Sequence, residues 1–341
     1  PKRTELWVER NRLRETRVVT GSVPTPGDGE VAVAIDKFAL TANNVSYAIA
    51  GDTIGYWGYY PADDRWGKVP AWGCATVVAS RCEEIPVGET LYGFFPMASH
   101  ACLAPGKFHP DHFMDIAPHR SGLPSLYNVY RRTGAEPRFL TEMETERCLF
   151  FPLLLTSYLL KDYLTDHACF GAQQVIIGSV SSKTGTGLAA MLRGEPGDRP
   201  RIVGLTSPGN RAYVDEMGCC DRVFCYGEED QLDLSLPATY VDMAGDAGLT
   251  RAVHERLRDN MVASISVGAT HWEQRGNLRD VPGLPGASPV FFFAPAHVAR
   301  RDAQWGPGVI MSRAAQSSAE TARRMRQHTV VKWVDSAAEL A

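Results

Sequence analysis

The sequence has no excess of basic charge. Lys and Arg number 35 against 39 Asp and Glu, a net charge of −4, so it carries no electrostatic footprint for nucleic acid. It has no long hydrophobic run either. The most apolar stretch, residues 148–160, is interrupted by Thr156 and Ser157 and falls short of the roughly 18 residues a membrane span needs. Lys2 and Arg3 are followed by no apolar core of a secretory signal, so the expected location is the cytoplasm and no membrane partner is expected. Of the 8 cysteines, no two form a C-x-x-C pair, and structural zinc generally uses such close pairs. Cys219 and Cys220 are adjacent, which suits them poorly to chelating one tetrahedral metal. All eight read as reduced, mostly buried thiols, and no metal is expected.

What is present is the balance of a globular protein. A chain of 341 residues, 44% hydrophobic and 22% charged, predicts two domains. The first third reads as strands: Val31-Ala-Val-Ala-Ile35 after the turn Pro26-Gly-Asp-Gly29, then Thr76-Val-Val-Ala79 and Thr90-Leu-Tyr-Gly-Phe-Phe95. Short strands bounded by Gly and Pro predict a β-rich, barrel-like domain. Residues 104–146 are polar and carry Pro105, Pro110, Pro118, Pro124 and Pro137. They read as a long loop with short helices, the kind of segment that serves as a lid.

From residue 150 the pattern changes. A buried helix over 153–164 precedes the strand Gln174-Val-Ile-Ile177, a polar loop, a helix over 188–193 and the strand Arg201-Ile-Val-Gly-Leu-Thr206. A helix over 211–217 and the strand Arg222-Val-Phe-Cys225 follow. This alternation predicts half of a doubly wound parallel sheet. Ala238-Thr-Tyr-Val-Asp242, a helix over 249–258, Val262-Ala-Ser-Ile-Ser-Val267 and Phe291-Phe-Phe-Ala294 continue it.

The loop between the first strand and helix is Gly178-Ser-Val-Ser-Ser-Lys-Thr-Gly-Thr-Gly187. A helix start there attracts phosphate through free N–H groups and the positive end of the helix dipole. The G-x-G-x-x-G fingerprint is missing. Ser179, Ser181, Ser182 and Thr184 supply hydroxyls instead, and Lys183 supplies charge. Two other readings stand beside a dinucleotide site. A triphosphatase P-loop needs a second Gly where Ser182 stands, and a capped polar loop needs no ligand. The second strand runs into Thr206-Ser-Pro-Gly-Asn-Arg211. No carboxylate follows it to bind ribose hydroxyls, and Arg211 suits a 2′-phosphate, which favours NADPH over NADH. The plain alternative for Arg211 is a solvated helix charge.

Several segments carry a family resemblance. Gly29-Glu-Val-Ala-Val-Ala-Ile-Asp-Lys-Phe-Ala-Leu-Thr-Ala-Asn-Asn44, Val87-Gly-Glu-Thr-Leu-Tyr-Gly93, Leu155-Thr-Ser-Tyr-Leu-Leu160, Thr239-Tyr-Val-Asp-Met-Ala-Gly245 and Val267-Gly-Ala269 occur in that order. The chain resembles the medium-chain dehydrogenase/reductase superfamily, and more narrowly its zinc-free quinone-oxidoreductase branch. With Ala42-Asn-Asn44, Tyr92-Gly-Phe-Phe-Pro-Met97 and the segment from His119 to Tyr130, it is similar to the family DUF2855. The resemblance implies a GroES-like catalytic domain over 1–149 with a long insert at about 106–146. A Rossmann cofactor domain over 150–293 and a return to the catalytic domain over 294–341 would follow. It implies metal-independent hydride transfer from NADPH in the cleft between domains. Thr156, Val267 and Gly268 would lie beside the cofactor, and Ser207 and Tyr226 at the 2′-phosphate. It also implies a homodimer paired through Pro289-Val-Phe-Phe-Phe293. Trp72-Gly-Cys74 stands where the zinc enzymes have Gly-His-Glu, and the four-cysteine zinc lobe is absent.

Reduction of an enone, quinone or related carbonyl without a metal needs a donor for the developing oxyanion and a proton source. Tyrosine supplies both. Tyr127 and Tyr130 in the insert, and Tyr47, Tyr56 and Asn44 after the early turn, are the candidates. Arg120 is a candidate anchor for an acidic substrate group. Most of the 12 tyrosines would be packing residues, and Asn44 has a plain reading as a turn cap. Tyr56-Trp-Gly-Tyr-Tyr60 is expected to be partly exposed, as an apolar wall for a flat substrate. Two alternatives remain: a nucleotide sensor or interaction protein of the same fold, and lyase or isomerase chemistry with no net redox change.

Overall fold

The structure, a computed structural model, describes residues 2–267 and 283–340. The chain divides into two units: Pro1–Leu149 with Val331–Ala341, and Phe150–Val330.

The first unit is β-rich. Its strands are β1 (Lys2–Glu9), β2 (Arg12–Ser22), β3 (Val31–Phe38), β4 (Trp66–Gly67), β5 (Pro70–Ser80), β6 (Thr90–Pro96), β7 (His100–Leu103), β8 (Pro105–Gly106), β9 (His112–Asp115) and β10 (Val129–Arg132). Helix α1 (Ala42–Ile49) follows β3, while α2 (Arg138–Thr141) and α3 (Glu144–Leu149) end the N-terminal part. A seven-stranded sheet has the order β7-β3-β5-β6-β10-β9-β8, and a three-stranded one the order β2-β1-β4. In β3, Val31, Ala32 and Val33 are buried, and Phe94, Phe95, Phe113 and Tyr130 fill the core from other strands. This is the GroES-like, β-rich half expected from the sequence.

Two expectations change here. Residues 104–146 are not a long loop, because β8, β9 and β10 lie within them and extend the main sheet through the β10–β6 pairing. Tyr130 pairs with Phe113 across β10 and β9, and their rings stack 5.6 Å apart. The prolines dominate the local pattern, and the strands are only two to four residues long. Strands β1 and β2 have no counterpart in the sequence pattern. Strand β2 is mostly exposed and rich in Arg, Thr and Glu, and β1 breaks its apolar Leu6, Trp7 and Val8 with the buried charges Glu5 and Glu9, so little apolar periodicity develops.

The second unit begins with α4 (Phe151–Asp166). It continues with β11 (Gln174–Gly178), α5 (Lys183–Arg193), β12 (Arg201–Thr206), α6 (Arg211–Met217), β13 (Arg222–Cys225), β14 (Ala238–Asp242), α7 (Ala247–Leu257), β15 (Met261–Ser266), β16 (Pro289–Phe291), α8 (Ala294–Trp305) and α9 (Val309–Gln327). The six strands are parallel in the order β13-β12-β11-β14-β15-β16. That order is the doubly wound Rossmann arrangement, whose ligand crevice lies where the strand order reverses, here between β11 and β14. Every residue of β11 and β14 is buried, as expected for parallel strands covered on both faces.

The return to the first unit starts at 331, not at 294. Helices α8 and α9 pack on α4, and α9 also on α5. The buried residues of α9 include Ile310, Ala314, Ser318, Ala322 and Met325. These mostly small residues give a weak hydrophobic signal, which hides the helix in the sequence. Helix α8 is fastened by charge. Asp162 accepts a hydrogen bond from Arg301 Nε (2.6 Å) and lies 2.7 Å from His297 Nε2. Within the returning segment, α10 (Ala337–Leu340) packs against β1. Among the described residues, no helix is long and apolar enough to cross a membrane.

Candidate dinucleotide-binding site

The loop from β11 to α5 is held from behind by its neighbours. Val180 N donates to Leu205 O (3.0 Å), tying the loop to β12. Ser182 caps α5, its hydroxyl accepting from Gly185 N at 3.1 Å. The helix therefore starts at Lys183 rather than Leu188, because a serine cap, not the first apolar residue, sets its beginning. Gly185 and Gly187 are packing glycines. A Cβ on Gly185 would lie 2.7 Å from Ser179 O, and one on Gly187 2.5 Å from Leu154 Cδ2 and 2.6 Å from Ser157 Oγ. Ser157 also donates to Thr184 O (2.8 Å), and Thr186 Oγ1 to Val180 O (2.8 Å). Ser179 sits in the left-handed region at φ 54° and is buried, a conformation costly for a residue other than glycine.

The front of the loop is less satisfied. Ser181 Oγ accepts from Thr206 Oγ1 (2.9 Å) and Asn210 Nδ2 (3.2 Å), so its own proton remains to be donated. Lys183 is half-buried, and burial pulls its ammonium below the usual lysine range. No carboxylate pairs with it among the described residues. The amides of Lys183 and Thr184, in the first turn of α5, have no acceptor there either. Such a cluster of free donors and uncompensated charge fits a phosphate.

The other expected residues divide. Thr206 is fully buried and supports Ser181 from beneath. Ser207 is half-buried at the end of β12, its carbonyl accepting from Asn210 N at 3.0 Å. Arg211 opens α6, where its Nε donates to Asp215 Oδ2 at 2.8 Å. Tyr226 follows β13, its phenol hydrogen-bonded with Ser179 and its amide donating to Thr206 O (2.9 Å). The three thus surround the end of β12. Val267 N donates to Asp242 O (2.9 Å), and Thr156 faces its own helix at Pro152 O, 3.4 Å away. Gly268 lies outside the described residues. Sequence reasoning gives Asp242 no role. Its Oδ1 accepts from Ala244 N (2.9 Å) and Gly245 N (3.1 Å), and its Oδ2 from Thr250 Oγ1 (3.2 Å). This shapes the turn after β14, beside Gly178. Burial pushes its carboxyl above the usual range. An Asp three residues before Gly245 at a strand end is the available signal.

In the first unit, α1 opens with a capping box in which Thr41 N donates to Asn44 Oδ1 (2.7 Å). Asn44 Nδ2 donates to Pro70 O (3.0 Å), so this buried amide holds backbone. Tyr47, on the same helix, packs against Tyr56 (4.7 Å between ring centroids). Its hydroxyl accepts from Asn43 Nδ2 (2.6 Å) and Trp72 Nε1 (3.1 Å). The hydroxyls of Tyr56 and Tyr127 are 2.8 Å apart. Burial pushes the Tyr47, Tyr56 and Tyr127 phenols upward, so all three stay protonated donors.

Three expectations fail in this unit. The 56–60 segment is no exposed wall, since Tyr56, Trp57, Tyr59 and Tyr60 are buried in the core. Tyr130 is fully buried and donates to Phe94 O (2.8 Å) next to the Tyr60 hydroxyl (2.7 Å). It is a core residue: its strand belongs to the main sheet. Arg120 is 2% exposed and ion-paired with Asp115 at 3.1 Å, so it does not present its charge to a substrate. Among the described residues, no three His, Cys, Asp or Glu side chains are grouped to hold a metal ion.

A GroES-like β-rich unit joined to a six-stranded Rossmann sheet is the fold of the medium-chain reductases, and this protein has that fold. A mitochondrial 2-enoyl thioester reductase heterodimer, Etr1p/Etr2p, from Candida tropicalis matches 98% of this chain and 92% of its own, at 12% identity and TM-score 0.56. A mutant Etr1p in complex with NADP and crotonyl-CoA matches over 98% and 91%, at 10% identity and TM-score 0.50. A candidate NADPH:quinone reductase from Mesorhizobium loti matches over 97% and 90%, at 12% identity and TM-score 0.56. At such identities the likeness is one of fold. No curated protein sequence matches the chain. Residues 38–339 match the family model DUF2855, described as a protein of unknown function, and the chain belongs to that family.

Proposed function

We propose that this protein is an NADPH-dependent, metal-independent reductase of an enone, quinone or related carbonyl. The observation that carries the reading is the half-buried Lys183, which has no carboxylate partner among the described residues, beside two amides that have no acceptor among them, in the β11–α5 loop next to the β11–β14 switch point. Ser181, Ser182, Lys183 and Thr184 would hold the pyrophosphate. Ser207, Arg211 and Tyr226 would hold the 2′-phosphate, with Arg211 turning from Asp215. No carboxylate ends β12 to favour NADH. NADPH, when bound, supplies a hydride. Thr156, Val267 and Gly268 are the proposed neighbours of its reacting end.

In the first unit, Tyr47 is the proposed donor. Both neighbours of its hydroxyl are N–H donors, so its own proton is free to stabilise a substrate oxyanion. Tyr56 and Tyr127 are the reserve pair of phenols. Fluorescence titration should give NADPH binding at micromolar to low millimolar concentration, with turnover on part of an enone and quinone panel. Tyr47→Phe should lower kcat and leave NADPH binding unchanged. No binding of either nucleotide would sink the proposal. Tight binding with no turnover would favour a nucleotide sensor, a reading supported by the departure of the loop from the glycine fingerprint.

We also propose a homodimer paired through β16. This strand is at the sheet edge, with Val290 58% and Phe291 60% exposed, the sort of edge that pairs with another chain. Sedimentation should show a dimer that Phe291→Glu converts to monomer. A monomeric wild type at tens of micromolar would dismiss it.

A further inference from the structure

Two thiols from distant parts of the first unit meet in its interior. Cys74 on β5 and Cys148 on α3 lie with their Sγ atoms 4.0 Å apart, separated by 74 positions in sequence. Both are buried, with Ala39, Tyr92, Trp72 and Leu149 around them. The helix that carries Cys148 is clamped at other points. Lys37 Nζ meets Glu144 Oε2 at 2.6 Å. Arg147 forms a bidentate pair with Glu136 (2.7 and 2.9 Å) and lies 4.0 Å from the Tyr92 ring. Tyr92 stands opposite Cys74 in the sheet register and donates from its hydroxyl to Arg147 O (3.2 Å). These contacts hold the two sulfurs face to face.

We infer that Cys74 and Cys148 are a redox-active dithiol that closes to an intramolecular disulfide on reaction with a hydroperoxide. A disulfide needs about 2.05 Å between sulfurs, a closure of about 2 Å from the present distance. Cys74 is the attacking sulfur. The contact with the Cys148 thiol lowers its pKa, helped by the positive charge of Arg147 and Lys37, while the same contact pushes Cys148 up. The Cys74 thiolate attacks one peroxide oxygen, the O–O bond breaks, and the alkoxide or hydroxide leaves and is protonated, giving a sulfenic acid on Cys74. The Cys148 sulfur then loses its proton and attacks the sulfenic sulfur, and hydroxide leaves as water. Two thiols and one hydroperoxide become one disulfide, one alcohol or water, and one further water. Two electrons pass from sulfur to oxygen. The bond pins α3 to β5 and is reversible by a dithiol. Trp72, two residues before Cys74, packs on this cluster, so its emission should follow the state of the pair.

The test uses the full chain treated with a few-fold excess of hydrogen peroxide. A mass loss of about 2 Da is expected, with the link mapped to Cys74 and Cys148 by peptide analysis. The melting temperature should rise by about 5–10 °C and fall back with dithiothreitol. Cys148→Ala should abolish the mass loss and leave a sulfenic acid on Cys74 that dimedone traps. The inference is overturned if the wild-type mass does not fall, if the link maps to another pair such as Cys219 and Cys220, or if Cys148→Ala still loses the 2 Da. Mapping on the wild-type chain decides the matter even if the variant folds poorly.

Discussion

Lys183→Ala is expected to weaken NADPH binding by about 10- to 100-fold in a fluorescence titration. A hydrogen bond between charged groups is worth roughly 1.5–3 kcal/mol, and tenfold in affinity is about 1.4 kcal/mol. Lys183 is half-buried with no internal anion to share its charge among the described residues, so little screening reduces that figure. Arg211→Ala should cost less. Its side chain is 41% exposed and already paired with Asp215, and screened pairs contribute about 0–1 kcal/mol. Its loss should fall on NADPH and leave NADH unchanged. The pH dependence has a definite sign. Burial lowers the Lys183 pKa in the free protein, and a bound phosphate favours the charged form. Binding therefore takes up protons, and affinity declines as pH rises through the lowered pKa. Lys183→Ala should lack that decline. Wild-type affinity for both nucleotides in Lys183→Ala would remove the loop from the site.

The largest effect on stability is expected from Asp115→Ala. The Arg120 guanidinium and the Asp115 carboxylate form a pair with side chains only 1% exposed, and the guanidinium lies 4.7 Å from the Tyr60 ring. Removing one partner leaves an unpaired charge in the core, at a cost of about 3–5 kcal/mol. Asp115 Oδ1 also accepts from Ala104 N (3.3 Å) and Ala117 N (3.0 Å), which adds to the loss. Denaturant unfolding followed by tryptophan emission should show the midpoint of the first unit falling with little change in slope. Replacing both residues by apolar ones, Asp115→Leu with Arg120→Met, should recover part of the stability, because both desolvated charges are then gone. A midpoint shift below about 1 kcal/mol for Asp115→Ala would mean the pair is solvated in practice.

Legibility in the sequence follows burial. Strands β11, β12 and β14 are short buried apolar runs, and the alternation of β11, β12 and β13 with α5 and α6 makes the Rossmann order readable from the residues alone. Where local pattern and tertiary role disagree, the reading fails. The helix α9 packs through alanines and serines, and β9 and β10 are too short to alternate. The tyrosines of 56–60 lie in a Gly-rich stretch that looks solvent-facing, yet they are core. The site is partly legible for the same reason. The hydroxyls and Lys183 stand out in a strand–loop–helix frame. The division of labour among them, with Thr206 beneath Ser181 and Asn44 capping α1, depends on hydrogen bonds that sequence spacing does not reveal. Asp242 has a visible turn pattern and no visible partner.

The division of the chain into a continuous unit and an interrupted one bears on how it is made. Residues 150–330 emerge from the ribosome in one stretch and hold every described strand of their sheet, so they can fold as soon as they clear the exit tunnel. The unit begun first is completed last. Residues 331–340 belong to it, and Leu340 packs against its core. During synthesis that edge of the older unit waits until residues 331–340 have been made, after the whole of the second unit.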